Sequence, residues 1–295
     1  MPAEPWAIRM RWRELLFAHW PLDDQGAERV RALVPRGLEL DRFEGRCYLG
    51  AVPFLMENTT PRLVPPIPGL HAFPELNLRT YVVAGGKPGV WFFSLDAGSK
   101  VAVRVARRFF HLPYFDAKFH VEVVSASNSP GSPPSNSSET GRVDLQVCDP
   151  TSRSDQASES SPASQSGTWT SRSGLEAYPT VLENGVAYRA VRTHPGAAPA
   201  AFDAVYRPIG EVYRSEAGTL EHWLTARYCL YSANAAGAIF RGEIDHAQWP
   251  LQRAEAEIRV NTLGDWLGLS MRGEPETLHF ARSLDVRAWM IRRAA

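Results

Sequence analysis

The chain has 295 residues, and its 32 basic side chains are matched by 32 acidic ones. With no net charge, nothing steers it toward nucleic acid or an anionic membrane surface. No apolar run reaches the ~18 residues that a membrane-spanning helix needs. The 44% hydrophobic content is enough for one large core or two small ones.

The opening segment MPAEPWAIRMRWRELL carries arginines where a signal peptide would have its apolar stretch, so the expected location is the cytoplasm. Cys47, Cys148 and Cys229 are far apart and form no C-x-x-C pair. They predict neither a disulfide framework nor a metal site, only small buried or incidental side chains.

Taken in order, RELLFAHW predicts a strand or short helix, and DDQGAERVRALVP a helix with acidic residues at its start, stopped by Pro35. LELDRFEGRCYLGAVPFLM predicts a hairpin turning at Glu44–Gly45, and LRTYVVAGGKPGVWFFSLDA a second one turning at GGKPG. SKVAVRVARRFF is an amphipathic helix with Ser99 as N-cap and Pro113 just beyond its end. DAKFHVEVV, GVAYRAVRT and AFDAVYRP alternate as strands, and TLEHWLTARYCLYSA also reads as one. AEAEIRVNTLGDWLGL and TLHFARSLDVRAWMI add mixed strand and turn character. Strands dominate and helices are few, which predicts an α+β domain built on a curved antiparallel sheet or barrel.

Residues 125–174 are dominated by Ser, Pro, Gly and Asn, with one weakly alternating island at Arg142–Asp149. Such a composition cannot offset the entropy of ordering it, so a disordered insertion at a hairpin tip is expected. Residues 1–124 and 175–295 then form one discontinuous domain.

Signatures of standard catalytic sites are missing: no G-x-S-x-G, P-loop, G-x-G-x-x-G before a helix, or H-E-x-x-H occurs. The histidines show no metal-ligand spacing, so neither metal nor cofactor is expected. His246, in the loop HAQWPLQ, is either an acid–base group or a capping residue, and Trp249 and Pro250 are expected to plug one end of the domain. Arg107, Arg108 and Lys118 suit a solvated helix end and its surroundings.

The segment FPELNLRTYV (Phe73–Val82) is unusual. Period-two alternation puts Glu75, Asn77, Arg79 and Tyr81 on one face and Leu76, Leu78, Thr80 and Val82 on the other. A carboxylate, an amide, a guanidinium and a phenol in succession fit either a cavity lining or a structural polar network. Neighbouring strands repeat polar and aromatic groups, Ser94 and Asp96 among them, which favours a barrel with a polar–aromatic interior.

Together, LLFAHWPL, VPRGLELDRFEGRCYLGAVPFLM, IPGLHAFPELNLRTYV, PGVWFFSLDAGSKVAV, LPYF, EHWLTARYCLYS and WPLQ resemble the bacterial proteins grouped as domain of unknown function 2071. The resemblance implies a fold similar to acetoacetate decarboxylase, a curved sheet closing into a cone around a central cavity. It also implies that Glu75 lies in the strand supplying the cavity carboxylate. In the decarboxylase a lysine beside a second lysine forms a Schiff base. Here Tyr114 and Phe115 stand at the corresponding places, and neither can form an imine.

The expected function is therefore binding of, or action on, a carboxylate- or carbonyl-bearing small molecule without a Schiff-base lysine pair. Glu75 is the candidate acid–base group, Arg79 the anion-binding residue, and Asn77, Tyr81 and Tyr114 the hydrogen-bonding groups. The alternative is a non-enzymatic protein whose polar interior is scaffold and whose function is to bind a partner. Assembly with a second copy of the chain stays open.

Overall fold

The computed structural model describes residues 2–65, 67, 69–124 and 184–294. The chain runs through β1 (Ile8–Pro21), α1 (Asp24–Leu33), β2 (Glu39–Leu40), β3 (Tyr48–Pro61), β4 (Phe73–Ala84), β5 (Lys87–Ala97), α2 (Lys100–Phe110) and β6 (Tyr114–Val123). It continues with β7 (Val186–Arg192), β8 (Ala201–Tyr213), α3 (Leu220–Thr225), β9 (Cys229–Ala233), β10 (Ile239–His246), β11 (Leu251–Asn261), β12 (Thr277–Ala288) and β13 (Arg292–Arg293). The predicted insertion at 125–174, with its island and Cys148, lies outside the described residues.

All the strands belong to one sheet, and its pairings close on themselves twice. One circuit runs β5–β6–β7–β8–β11–β12–β1–β3–β4 and returns to β5. The other leaves β5 through β9 and β10, reaches β12, and returns along β1, β3 and β4. The strands β12, β1, β3, β4 and β5 are thus a wall shared by both circuits. Pairing is antiparallel except at β5, which runs parallel to β6 and to β9.

The shared wall explains two features of the sequence. Alternation along β1 and β4 sends successive side chains into separate cores. Leu16, Ala18, Leu76, Leu78 and Val82 join one core, with Tyr188, Phe202 and Tyr206 from β7 and β8. Leu15, Phe17, Phe73 and Tyr81 join the other, with Val286 from β12 and Val103 from α2. Every residue from Phe73 to Val82 is consequently buried, so no face of this strand is wet.

Local chemistry sets the connections. The β4–β5 turn is Gly85–Gly86, both at positive φ (55° and 73°), as a tight hairpin turn requires. Asp23 caps α1 through Gly26 N at 2.7 Å, and Ser99 caps α2 through Ala102 N at 3.1 Å.

Two expectations differ from the structure. The hairpin over 38–56 is reduced to a single bridge between Phe43 and Arg46 around Glu44–Gly45, because β2 pairs with β4 rather than β3. The strand read over 219–233 begins only at Cys229. Before it, Thr219 caps a short helix by accepting from His222 N, so Glu221, Trp223 and Arg227 do not share a strand face.

Candidate functional site

The circuit closed by β9 and β10 encloses a cavity of about 180 Å³, covered by α2. Strand β4 supplies Glu75, Asn77 and Arg79 to its lining, and Tyr114, first residue of β6, supplies a fourth polar group. These side chains meet there because β4 alternates and because α2 ends at His111, turning the chain through Leu112–Pro113 so that Tyr114 returns beside Glu75. His111 takes a left-handed conformation (φ 51°) to do so.

Tyr114 donates to Glu75 Oε2 at 3.0 Å. Burial pushes the Glu75 carboxyl up to about 8, against the pull of the Tyr114 and Asn77 hydrogen bonds. Glu75 is therefore mostly protonated at neutral pH and presents a proton to the cavity. Asn77 Oδ1 is buried without a hydrogen-bond partner.

Arg79 is 5% exposed, and its guanidinium lies 4.5 Å from the centre of the Phe17 ring. Its Nε has no hydrogen-bond partner, and among the described residues no carboxylate forms an ion pair with it. Burial pulls its pKa down, with Tyr81 opposing this. The other buried ionic side chains are matched. Asp96 holds Arg192 at 2.6 and 2.8 Å, Glu14 holds Arg282 at 2.9 Å, Asp203 holds Arg189 at 2.7 Å, and Arg227 holds Asp41.

Tyr81 does not line the cavity. It stands behind Arg79, with its hydroxyl 2.6 Å from His19 Nε2 and its ring 4.8 Å from that of Trp223. His19 is fully buried, and burial, with the nearby Arg79 charge, holds it well below the ordinary histidine range. Sequence reasoning did not single out His19. The signal was a histidine inside the apolar run LLFAHW, at the alternation of Leu15 and Phe17.

The remaining candidates lie elsewhere. His246 faces the carbonyl oxygens of Ala247 and Arg227, as a capping residue does. Trp249 is buried against Trp12, Phe17 and His246. Arg107 donates to the Tyr114 carbonyl at 2.7 Å and so secures the end of α2. Ser94 and Asp96 are buried, and Asp96 is occupied by Arg192.

Among the described residues no lysine lines the cavity. Lys87 pairs with Glu243 at 2.5 Å, while Lys100 and Lys118 are exposed. Phe115 is turned toward Arg192 and His194. Among the described residues no three His, Cys, Asp or Glu side chains gather as metal ligands.

The family model described as "Uncharacterized conserved protein", domain of unknown function 2071, matches residues 9–175 and 168–285. The chain belongs to this family. A curated relative, the uncharacterised protein YqjF of Bacillus subtilis (strain 168), is 37% identical over 293 residues, which is 99% of this chain and 95% of YqjF.

Among solved structures, an acetoacetate decarboxylase-like enzyme from Sphingomonas wittichii RW1 superposes with a TM-score of 0.56 at 12% identity, covering 99% of this chain and 94% of that one. The enduracididine biosynthesis enzyme MppR, complexed with pyruvate, gives 0.55 at 11% identity, covering 99% and 91%. The fold is acetoacetate decarboxylase-like. No helix among the described residues is long and apolar enough to cross a membrane.

Proposed function

We propose that this protein binds a small molecule carrying a carboxylate and a carbonyl group, and exchanges protons with it. The observation that supports this reading is a pairing of absences. Glu75 and Arg79 are the buried ionisable groups of their kind with no oppositely charged partner among the described residues, and both line one cavity. A buried guanidinium without a counter-charge costs several kcal/mol unless an anion joins it, so the vacant partner is supplied by the ligand.

The ligand carboxylate then sits on Arg79, and its carbonyl oxygen lies along β4 toward Asn77 and the Glu75–Tyr114 pair. With its proton, Glu75 polarises that carbonyl, or protonates the carbon beside it when the ligand is in its enolate form, giving the oxo acid and the Glu75 carboxylate. In the reverse direction the carboxylate takes a proton from that carbon and the enolate forms again. A lysine imine plays no part in this reading, since the described lining residues carry no amine. That MppR was solved with pyruvate is consistent with the same class of ligand in a cavity of this fold.

The scaffold reading fits the other side of the wall better. There Asp96 and Arg192 satisfy one another, and Tyr188 donates to the Glu75 and Phe54 carbonyls.

A thermal-shift screen against small carboxylates, 2- and 3-oxo acids and sugar acids tests the proposal, with Arg79→Met run beside the wild type. A compound that raises the wild-type midpoint but not that of the variant is the expected result. If no compound shifts the wild type, the polar stripe is scaffold.

A further inference from the structure

The polar part of the cavity is narrow: Glu75, Asn77 and Arg79 on β4, Tyr114 on β6 beside Glu75, and Thr59 on β3. On β3 and β5, the cross-strand neighbours of Glu75 are Phe54 and Ala97, those of Asn77 are Val52 and Leu95, and those of Arg79 are Gly50 and Phe92. Facing this stripe, Leu230 and Ile244 come from β9 and β10, while Val105, Ala106 and Phe110 come from α2. Among the described lining residues Arg79 is the one cation, so there is a place for one anionic group and none for a second.

Three features bear on the size and polarity of the ligand. At ~10–15 Å³ per water-sized group, 180 Å³ has room for about 12 to 18 non-hydrogen atoms. Arg79 and Glu75 are four residues apart, about 13 Å along a strand, so a ligand that meets both is extended. Away from β4 and Tyr114 the lining offers Thr59 Oγ1 and Trp12 Nε1 as further polar atoms, so most hydroxyl groups of a polyol would face hydrocarbon, where an unpaired polar group is penalised.

We infer that the substrate class is the apolar-tailed monocarboxylates, oxo acids among them, with the acid on Arg79 and a hydrocarbon body against α2, β9 and β10, rather than sugar acids or other polyhydroxylated acids. This rests on the carboxylate reading of Arg79.

Calorimetric titration with propanoate, butanoate, pentanoate and hexanoate, and with gluconate as a six-carbon polar control, tests it. Full burial of each added methylene tightens binding about fourfold, so hexanoate should bind roughly sixtyfold tighter than propanoate. A heat-capacity change growing more negative along the series should accompany this, and gluconate should bind more weakly than hexanoate.

Affinity independent of chain length, or gluconate equal to hexanoate, would overturn the apolar-tail inference and leave the Arg79 reading intact. If no acid binds the wild type, or if all bind Arg79→Met equally, both fall together.

Discussion

The His19 imidazole fills the space that a side chain at Gly50 would need: a Cβ there would lie 2.6 Å from His19 Nε2 and 3.4 Å from Arg79 Cγ. The three residues stand in register on β1, β3 and β4, so the glycine lets a histidine and an arginine close over it. Gly50→Ala should cost about 1–3 kcal/mol through overpacking. Because it displaces His19, whose imidazole meets the Tyr81 hydroxyl behind Arg79, it should also weaken carboxylate binding in a folded protein. Denaturant unfolding together with ligand titration of the same variant would show both effects, and unchanged binding would count against Arg79 as the anion site.

Arg79 and Arg192 are both buried arginines, yet they should respond oppositely to loss of charge. Arg192→Met leaves Asp96 buried without its partner and should cost on the order of 3–5 kcal/mol. Arg79→Met strands no carboxylate and removes a desolvated charge, so stability should hold or rise. Chemical denaturation of the two variants in the absence of ligand compares them directly. Equal losses would mean that Arg79 has a structural partner after all.

Glu75 links stability to pH in the direction opposite to a salt-bridged carboxylate. Unfolded, it loses its proton above about 4.5, but folded it keeps it to about 8. Between those values the unfolded state binds fewer protons, so Glu75 makes stability fall as pH rises through this window, by on the order of a few kcal/mol in all. Glu75→Gln should remove that fall. Melting midpoints of wild type and variant should therefore differ most, in favour of the variant, above pH 8. Parallel profiles across the window would show that the carboxyl is not held protonated.

Acidification should act through other groups. Burial lowers the pKa of His19, His246 and His279, so each stays neutral in the fold below the point where it would protonate when unfolded. Stability contributed in this way is complete above about 6.5 and is lost progressively as pH falls below it. In the Glu75→Gln background, where the opposing slope of that carboxyl is absent, unfolding midpoints followed from pH 7 to pH 5 should decline, and adding His19→Gln should make the decline shallower. A flat profile in that background would contradict the burial of neutral histidines.

Proton exchange is the most direct test of Glu75 chemistry. In heavy water, wild-type protein should catalyse deuterium uptake at the carbon beside the carbonyl of a bound oxo acid, and Glu75→Gln should lose most of that rate. Nuclear magnetic resonance of the acid reads it out. Binding without exchange would leave a receptor for the acid rather than a catalyst.

Much of this was legible where the local code is strong. Alternation in FPELNLRTYV set Glu75, Asn77 and Arg79 on one face, Ser99 marked the start of α2, and Gly85–Gly86 marked a turn. The double use of β4 was less so, since alternation shows that a strand has two faces but not that both are covered. That depends on β9 and β10 closing a second circuit through pairings distant in sequence. The role of Tyr81 was hidden similarly, because only three-dimensional register brings His19 to its hydroxyl. The strand misread over 219–233 has a local cause: Thr219 and one turn of helix compete with an apolar run of the same length.

A partition between two packed compartments is also a lever. Leu76 and Leu78 press on β4 from the side away from the cavity, against Tyr188 and Phe202 and their neighbours. Adding or removing a methyl group there shifts the strand that bears Glu75, Asn77 and Arg79 without altering any atom a ligand would touch. Affinity for the proposed ligand should thus respond to changes behind the wall, at residues that a search for ligand contacts would never find.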